Sequence, residues 1–575
     1  MKLRAGCGFL VIPLLLGLGG TSLAQQNPAS PEGATFTASP AATASTMMVA
    51  AAHPLAVETG LAILREGGTA MDAAVGVQMV LNVVEPQSSG IGGGGFLLYW
   101  DAQKRTLFTY DGRETAPKAA TENLFLDAEG KPRKWPDVVG TPLSVGVPGI
   151  VALMEQAHKA HGALAWARLF DDAVDLARNG FGVSPRLNSS LAAMGADKFS
   201  QQARAFFFNE DGEPWPLGHV LKSPALAVTF EQIARDGGSA FYRGSIATDI
   251  LAAIASESAM SVEDVASYEA IQRPPVCAPY KDLRVCGMGP PSSGGLTIAQ
   301  ILMLLDAETL GSAPNADAVH LIAEAEKLAY ADRDRYMADA DFVDIPGGLL
   351  DPDYVKSRAA LIDTATAAPK AEPGMPPAAK PNGKDATREA PGTSHVSIVD
   401  AKGNAVSLTT SIENAFGSRI MVRGFLLNNQ LTDFSFRPKD DDGVPIANRP
   451  EGGKRPRSSM APTMVFDADG NLKAVLGSPG GSRIILYVVK SVIAMADWDM
   501  DAQQAASLPA FGSRNGPTEL EDGSGLLDTF IASLTAKGHD VKRAEMTSGL
   551  HIVAVAPDGL SGGADPRREG VAKGD

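Results

Sequence analysis

The chain has 575 residues, a formal net charge of −16, 45% hydrophobic residues and a mean hydropathy of −0.01. This length predicts roughly three to four domain-sized units, or one large sandwich with insertions. The acidic balance argues against a nucleic-acid-binding protein, because phosphate backbones are recognised by basic surfaces. Composition and charge do not restrict which small molecule could bind.

The N-terminus has the pattern of an export leader. Lys2 and Arg4 precede an apolar run over residues 9–18 that is short for a membrane span, and Ser22-Leu23-Ala24 forms a small-x-small cleavage motif. We therefore predict a signal peptide over residues 1–24 and an exported protein, either periplasmic or secreted.

Two helices are predicted next. Residues 55–66 have helical periodicity, and Gly67-Gly68 ends that helix. Thr69 and Asp72 have the spacing of a capping box, which opens a strongly apolar helix to Val84. An apolar pattern on most sides predicts a buried helix.

Gly90, Gly92 and Gly95 match the spacing of the dinucleotide-binding fingerprint. That fingerprint must follow a strand and open a helix, whereas here a helix precedes the glycines and a strand follows them. We interpret the glycines as a site of close backbone packing or as a substrate-facing turn.

Charged residues of the middle region allow structural and functional interpretations. Arg113 follows a strand pair, where an arginine is commonly a surface ion-pair partner but can also hold a carboxylate in its two-pronged guanidinium. The charges of the predicted helix over residues 320–333 are typical of a solvated face with internal pairs.

Two cysteines remain after the leader, Cys277 and Cys286. If Lys281-Asp282 is a two-residue turn, the cysteines face each other across a hairpin and could form a disulfide in an oxidising compartment. Two separate buried thiols fit the sequence as well.

A change of composition at residues 364–392 separates two kinds of sequence. This stretch is rich in Pro, Ala and Lys and almost free of large apolar residues, which predicts a mobile, exposed tether. Two strand-like runs follow at once, joined by a turn at residues 401–404. The tether is either a domain linker or a self-cleavage segment that frees Thr393 as an N-terminal nucleophile.

The self-cleavage hypothesis is chemically complete. An N-terminal Thr393 would use its own α-amine as the base, with a reference pKa of about 7.7–8.0. The same hydroxyl could first attack the Gly392 carbonyl and break the peptide bond. Gly480-Gly481, just before a predicted helix, offers backbone N–H groups for an oxyanion, although a tight turn at a helix entry explains this pair equally well.

Several long motifs together resemble the γ-glutamyltransferase (γ-glutamyltranspeptidase) family of the N-terminal-nucleophile hydrolase superfamily. The resemblance covers roughly residues 48–560. The motifs that carry it lie at residues 391–400, 427–435, 454–463 and 477–483, with further large-subunit motifs at residues 111–117, 290–295 and 323–332.

The resemblance implies an α+β fold, a four-layer αββα sandwich of the N-terminal-nucleophile hydrolase type. It also implies self-cleavage between Gly392 and Thr393. The products would be a large subunit of residues 25–392, with its tether, and a small catalytic subunit of residues 393–575, which remain associated.

The implied reaction is attack by Thr393 on a γ-glutamyl amide such as glutathione, followed by transfer of the γ-glutamyl group to water or to an amino acid or peptide. No metal, organic cofactor or nucleic acid is expected to take part. The family roles fall on Thr393 as nucleophile, Ser411 as its support, Gly480 and Gly481 for the oxyanion, Arg113, Ser458 and Ser459 for the substrate α-carboxylate, and Gln430, Asp433 and Glu413 for its α-amino group.

Two features depart from the family pattern. Glu413 stands where well-known members often have Asn, and it can still accept a hydrogen bond from an ammonium group. Residues 437–457 lack the aromatic lid residue of many members, which predicts a more open pocket.

Two other functions compete with γ-glutamyl transfer: a glutaryl or cephalosporin acylase of the same family, and a non-catalytic exported binding protein. Glutaryl substrates lack the α-amino group of glutamate. The presence of Asp433 and Gln430 therefore favours glutamyl donors.

Overall fold

The computed structural model describes residues 40–387, 389–390 and 392–575. The predicted signal peptide lies outside these residues. Within them, no helix combines the length and the apolar composition that crossing a membrane would need.

Most of the strands belong to two large sheets. In chain order the strands are β1 (Ala42–Ala44), β2 (Met48–Ala51), β3 (Gly94–Asp101), β4 (Thr106–Gly112), β5 (Phe181–Gly182), β6 (Val220–Leu221), β7 (Ile271–Arg273), β8 (Val276–Tyr280), β9 (Leu283–Gly287), β10 (Thr393–Val399), β11 (Ala405–Ser411), β12 (Met421–Val422), β13 (Phe425–Leu426), β14 (Thr463–Asp467), β15 (Leu472–Gly477), β16 (Phe511–Ser513), β17 (Thr518–Glu521), β18 (Val541–Ala544), β19 (His551–Ala556), β20 (Gly559–Ala564) and β21 (Val571–Gly574).

The helices cover the outer faces of these sheets and fill the connections. They are α1 (Pro54–Arg65), α2 (Ala70–Val84), α3 (Trp135–Val138), α4 (Ile150–His161), α5 (Asp171–Asn179), α6 (Pro185–Met194), α7 (Gln201–Phe207), α8 (Pro224–Asp236), α9 (Gly238–Tyr242), α10 (Ser245–Ile254), α11 (Val262–Ala266), α12 (Gly294–Leu305), α13 (Ala316–Tyr336), α14 (Pro352–Ala359), α15 (Ile484–Ala496), α16 (Ala502–Ser507), α17 (Gly525–Asp528) and α18 (Ile531–Ala536).

The two seven-stranded antiparallel sheets pack face to face. Their strand orders are β21-β2-β10-β11-β3-β4-β7 and β1-β20-β19-β15-β14-β9-β8. Alternate residues of a strand point to opposite faces, so Phe96 and Leu98 of β3 enter the core with Met464 and Val475 of the second sheet, whereas Leu97 enters the core on the outer face. The predicted αββα sandwich is therefore confirmed.

The helical layers follow from the apolar patterns of the sequence. The predicted capping box at Thr69 and Asp72 is present, and every residue of α2 is buried between α1 and the first sheet. Helices α12 and α15 cover the second sheet in the same way, because their residues are almost entirely apolar.

The predicted hairpin with the two cysteines is present. Strands β8 and β9 pair antiparallel with Cys277 opposite Cys286, and the two residues form a disulfide. Of the two alternatives that the sequence left open, the structure has the covalent one.

Helix α13 differs from the prediction of a solvated charged face. Glu324, Lys327 and Arg333 are all buried. The Lys327 ammonium bonds Glu324 at 2.7 Å, which is an internal pair, but the helix is covered by the tether residues and by β16. Charges of this kind satisfy one another inside the protein, and a helical pattern alone does not distinguish that arrangement from solvation.

The C-terminal tail also differs from expectation, since the polar sequence from Ser561 onward predicts a frayed end. Instead, β20 pairs with β19, and β21 pairs with β2 at the edge of the first sheet. A run of small residues fits here because Gly562 and Gly563 approach Met48 and Ala502 too closely for larger side chains.

The predicted tether has no helix or strand over residues 364–387, but it is hydrogen bonded to the body of the uncleaved chain. The Ala368 N–H donates to Glu324, the Gly374 N–H donates to Asp332, and the Gly383 N–H donates to the Pro445 carbonyl. Mobility of this segment after cleavage stays a prediction.

Candidate active site

The predicted nucleophile Thr393 is the first residue of β10, in the centre of the first sheet. It pairs with Ser411, the last residue of β11, and it is 3% exposed. Its hydroxyl lies 3.3 Å from the Ser411 hydroxyl. The backbone of Thr393 is paired on the β11 side, whereas β2 pairs only with residues 396–399 of β10.

Ser411 contacts both sides of the predicted scissile bond. Its hydroxyl donates a hydrogen bond to the Gly392 carbonyl oxygen at 2.6 Å and accepts one from the Glu413 N–H at 2.8 Å. A donor on that carbonyl oxygen stabilises the negative charge that develops there when a nucleophile attacks the carbonyl carbon.

The backbone around Gly392 leaves no room for a side chain. A Cβ atom at this position would lie 2.1 Å from the Glu413 carbonyl oxygen and 2.6 Å from the Asn414 carbonyl carbon. Glycine is therefore required for this close approach, independently of any preference of the cleavage reaction.

The Gly480-Gly481 pair has backbone conformations that suit glycine, with φ values of 143° and 57°. Gly481 begins a short 3₁₀ turn that leads into α15, and it borders the same cavity as Thr393. A Cβ atom on Gly481 would lie 2.8 Å from the Glu389 carbonyl oxygen and 2.9 Å from the Ala390 carbonyl carbon. The N–H groups at this helix entry are suited to an anionic oxygen.

Arg113 is fully buried and contacts Asp433 directly. Its guanidinium donates to Asp433 and to the Pro456 and Arg457 carbonyl oxygens, at 3.1 and 3.0 Å for the carbonyls. Its Nη1 has no hydrogen-bond partner among the described residues. Because Arg113 is buried, its interpretation as a surface ion-pair partner is wrong. A substrate carboxylate could accept a hydrogen bond from the Nη1 group that lacks a partner.

Four other predicted recognition residues line the cavity at Thr393, whereas Arg113 is not among its lining residues. Gln430, Asp433, Ser458 and Ser459 are all buried there. The Gln430 Oε1 and the Asp433 Oδ1 lack hydrogen-bond partners within the described part of the chain. Buried acceptors without partners are rare in proteins, so these two atoms are suited to a ligand that donates hydrogen bonds, such as an ammonium group.

Glu413 follows β11 in a left-handed conformation, with φ of 79°. Such backbone favours Gly and Asn over Glu. Burial raises the pKa of the Glu413 carboxyl, and the nearby Asp433 carboxylate raises it further. The carboxylate accepts hydrogen bonds from the Ala390 N–H, at 3.0 Å, and from the Asn429 amide.

Glu114 is a member of the site that sequence reasoning missed. It is buried, and its Oε2 lies 3.7 Å from the free Nη1 of Arg113. Burial raises the pKa of its carboxyl to about 8, although the Arg113 charge opposes that effect. In addition to Glu389 of the tether, three acidic side chains lie within the influence of Arg113: Glu114, Glu413 and Asp433.

In the uncleaved chain, the tether fills the space in front of Thr393. Glu389 and Ala390 line the cavity, which retains a volume of about 20 Å³. That is roughly the space for one water molecule. The expected open pocket is absent from the continuous chain, because residues 389 and 390 occupy it.

The described residues include one cluster of metal-ligand type, His320, Glu324 and His539, whose ligand atoms lie within 4.8 Å of one another. The two imidazoles are hydrogen bonded to each other at 2.7 Å, and Glu324 is ion-paired with Lys327. His320 also bonds the Asp363 carbonyl, so this cluster fastens the start of the tether.

The fold and site together define a class of protein. Two packed antiparallel sheets between helical layers hold a threonine at the start of a central strand, with a hydroxyl donor on the preceding carbonyl oxygen and glycine N–H groups nearby. This is the architecture of an N-terminal-nucleophile hydrolase.

The chain belongs to the gamma-glutamyltranspeptidase family, whose family model matches residues 56–575. It is 39% identical over 538 residues to a glutathione hydrolase proenzyme of Escherichia coli, covering 90% of each chain. The resemblance inferred from the motifs and the predicted enzyme class, γ-glutamyltransferase and glutathione hydrolase, are thereby confirmed.

Two solved structures have the same fold. A cephalosporin acylase from Bacillus halodurans superimposes with a TM-score of 0.84 at 26% identity, over 96% of this chain and 99% of that one. A gamma-glutamyltranspeptidase from Helicobacter pylori is 36% identical, with a TM-score of 0.54 over 57% of this chain and 95% of that one.

Proposed function

We propose that this chain is the precursor of an exported enzyme that cleaves γ-glutamyl amides such as glutathione through a γ-glutamyl ester on Thr393. The observation that carries the proposal is the contact of the Ser411 hydroxyl with both the Thr393 hydroxyl and the Gly392 carbonyl oxygen. The free donor and acceptors of Arg113, Gln430 and Asp433 in the surrounding site support it.

Maturation begins at the Gly392–Thr393 bond. The Thr393 hydroxyl oxygen attacks the Gly392 carbonyl carbon and loses its proton, while Ser411 stabilises the negative carbonyl oxygen. The C–N bond then breaks, the Thr393 nitrogen takes up a proton, and an ester joins Gly392 to the Thr393 oxygen. Water hydrolyses this ester, leaving a carboxylate on Gly392 and a free α-amine and hydroxyl on Thr393.

Turnover uses the same hydroxyl, with the α-amine of Thr393 as base. The hydroxyl attacks the γ-carbonyl carbon of the donor, and the backbone N–H groups of Gly480 and Gly481 bind the resulting oxyanion. The donor's C–N bond breaks, and the protonated amine leaves. Water or the amine of an amino acid or peptide then attacks the ester and restores Thr393.

Donor recognition uses opposite charges around the donor's α-carbon, which bears both the ammonium and the carboxylate group. Asp433, Gln430 and Glu413 accept hydrogen bonds from the α-ammonium group. Arg113 Nη1, whose guanidinium also bonds Asp433, and the hydroxyls of Ser458 and Ser459 donate to the α-carboxylate. The charge of an ionised carboxylate on Asp433 is what distinguishes a glutamyl donor from a glutaryl donor.

A side-by-side assay tests this function against the acylase alternative, which the similarity to a cephalosporin acylase keeps open. We expect purified enzyme to release p-nitroaniline from γ-glutamyl-p-nitroanilide at least about 10-fold faster than from glutaryl-p-nitroanilide. The glutaryl compound lacks the ammonium group, and losing one hydrogen bond to a charged group costs about this factor. Preference for the glutaryl compound would overturn the proposal in favour of an acylase.

The non-catalytic alternative has a different signature. A binding protein that only keeps the fold would remain a single band near its full mass of 59.8 kDa, less any leader, on denaturing gels after long incubation. We expect two associated subunits that separate only on denaturation, in a protein recovered from the exported fraction.

A further inference from the structure

Glu389 occupies the donor pocket of the uncleaved chain as an internal anion. Its buried carboxylate pairs with the guanidinium of Arg333, lies 3.4 Å from the Nε of Arg457, and interacts with Ser459. Burial alone would raise the pKa of this carboxyl, but the two arginines and Ser459 outweigh burial and hold it well below the ordinary value. Glu389 is therefore a fully ionised group beside a residue expected to bind the donor carboxylate.

The next residue contacts the group that is expected to bind the donor's ammonium. The Ala390 N–H donates to Glu413 at 3.0 Å, where the donor's ammonium group is expected to bind. Residues 389–390 thus place an anion beside the expected carboxylate-binding groups and an N–H beside the expected ammonium-binding groups. The tether imitates the charge pattern of a γ-glutamyl donor before cleavage.

If the tether leaves the site, Arg333 and Arg457 lose carboxylate partners. Arg333 and Arg457 are 3% and 1% exposed, and their carboxylate partners are Glu389, Asp385 and Asp334. Glu389 and Asp385 belong to the tether, whereas Asp334 belongs to α13. Loss of Glu389 alone leaves Arg333 with Asp334 as its one ion-pair partner among the described residues, and a buried charge that loses a partner is costly.

The tether must leave this position for a donor to bind, because the remaining cavity of about 20 Å³ holds roughly one water molecule. An incoming carboxylate then enters a site from which one negative charge has left. Arg333 is the better placed of the two arginines, because its Nη2 also donates to the Ser459 hydroxyl at 2.7 Å and its Nε donates to Ser293 at 2.9 Å.

We propose that the α-carboxylate of the γ-glutamyl donor replaces the Glu389 carboxylate on Arg333 in the mature enzyme, which makes Arg333 a specificity-determining residue supported by Arg457. The inference rests on the proposed function, since it concerns how the same site recognises its donor. It adds a charged contact, from the large subunit, to the one expected from Arg113.

The test compares two donors that differ only in the α-carboxylate: γ-glutamyl-p-nitroanilide and 4-aminobutyryl-p-nitroanilide. For Arg333→Gln we expect kcat/KM on the γ-glutamyl compound to fall by about 10- to 100-fold, mainly through KM, the range expected for a hydrogen bond to a charged group. On the 4-aminobutyryl compound we expect a change of less than about 3-fold.

Arg514→Gln is the matched control, because Arg514 lines the neighbouring cavity but pairs with Glu519. This variant should leave kcat/KM on both donors unchanged.

An equal loss on both donors would show that Arg333 only supports the structure and would overturn the inference, as would no loss on either. If Arg333→Gln stays uncleaved, Arg333→Lys and Arg457→Gln are assayed with the same two donors instead. The inference is overturned if both variants keep the full preference of the unmodified enzyme for the γ-glutamyl donor over the 4-aminobutyryl donor. If the unmodified enzyme fails to cleave γ-glutamyl-p-nitroanilide, the proposed function itself is wrong.

Discussion

In the proposed mechanism, the Ser411 side chain serves two reactions. In the uncleaved chain its hydroxyl donates to the carbonyl oxygen of the predicted scissile bond and lies beside the Thr393 hydroxyl. Once the bond is broken, the same hydroxyl remains next to the nucleophile. Its position is set by strand register, because Thr393 and Ser411 are paired residues of β10 and β11.

We predict that Ser411→Ala slows self-cleavage by about 100-fold or more, the typical cost of removing one oxyanion donor. The measurement is the fraction of uncut chain against time on denaturing gels. Ser418→Ala is a suitable control, since Ser418 is a buried serine of the same subunit whose hydroxyl donates to the Leu427 carbonyl. Cleavage of Ser411→Ala at the unmodified rate would contradict this role.

At the residue scale, sequence patterns identified the groups that lie in recognisable motifs. Thr393, Gly481 and Asp433 are together in one cavity, as the motifs predict. Glu114 and Glu389 were missed, because a lone glutamate carries no sign of its burial or of the arginine it will meet. The charge pattern of α13 favours a solvated face for Arg333, and only the packing of the tether over α13 shows that it is buried.

The elements that hold the site were largely predictable where local signals were strong. The apolar run and capping box of α2, and the two strands around the turn at residues 401–404, are present as expected. The C-terminal strands were not predicted, because β20 and β21 are rich in glycine and small residues and gain their stability from pairing with β19 and β2. The pairing of β21 with β2 connects residues far apart in the sequence, which no local pattern contains, whereas β19 and β20 form a local hairpin.

At the element scale we predict that the Cys277→Ser/Cys286→Ser double variant lowers the free energy of unfolding by about 2–3 kcal/mol. The estimate follows from the loop entropy for the sequence separation of 9 that the disulfide closes. Catalytic constants should not change, because neither cysteine lines the cavity at Thr393. Denaturant unfolding with and without reductant measures the effect, and equal stability of the two proteins would contradict it.

At the scale of the whole molecule, the packed sandwich of the uncleaved chain encloses a site with several buried carboxyl groups. Burial raises the pKa of Glu114, Glu413 and Asp433 together. A carboxyl with a raised pKa binds its proton more tightly in the folded chain than in the unfolded chain. Its contribution to stability is therefore complete below the unfolded pKa and is lost as pH rises through the folded pKa.

For Glu114 that window runs from the ordinary value of 4.5 to about 8. We predict that the free energy of unfolding of the uncleaved Thr393→Ala chain falls as pH rises across this window. Adding Glu114→Gln should make this fall with pH less steep, by at most about 1.4 kcal/mol per pH unit. The gain from Glu114→Gln should thus grow with pH and level off above pH 8. Parallel stability curves for the two chains from pH 5 to 8.5 would contradict the burial of an ionisable Glu114.

The most direct test of the whole account is the N-terminal sequence of the protein's own cleavage product. Purified unmodified chain and its Thr393→Ala variant are incubated alone, and the products are separated on denaturing gels and sequenced. We predict a small subunit that begins Thr393-Ser394-His395 for the unmodified chain, and an uncut, inactive chain for the variant. A small subunit with another first residue, or cleavage and activity in the Thr393→Ala chain, would contradict Thr393 as the nucleophile of both reactions.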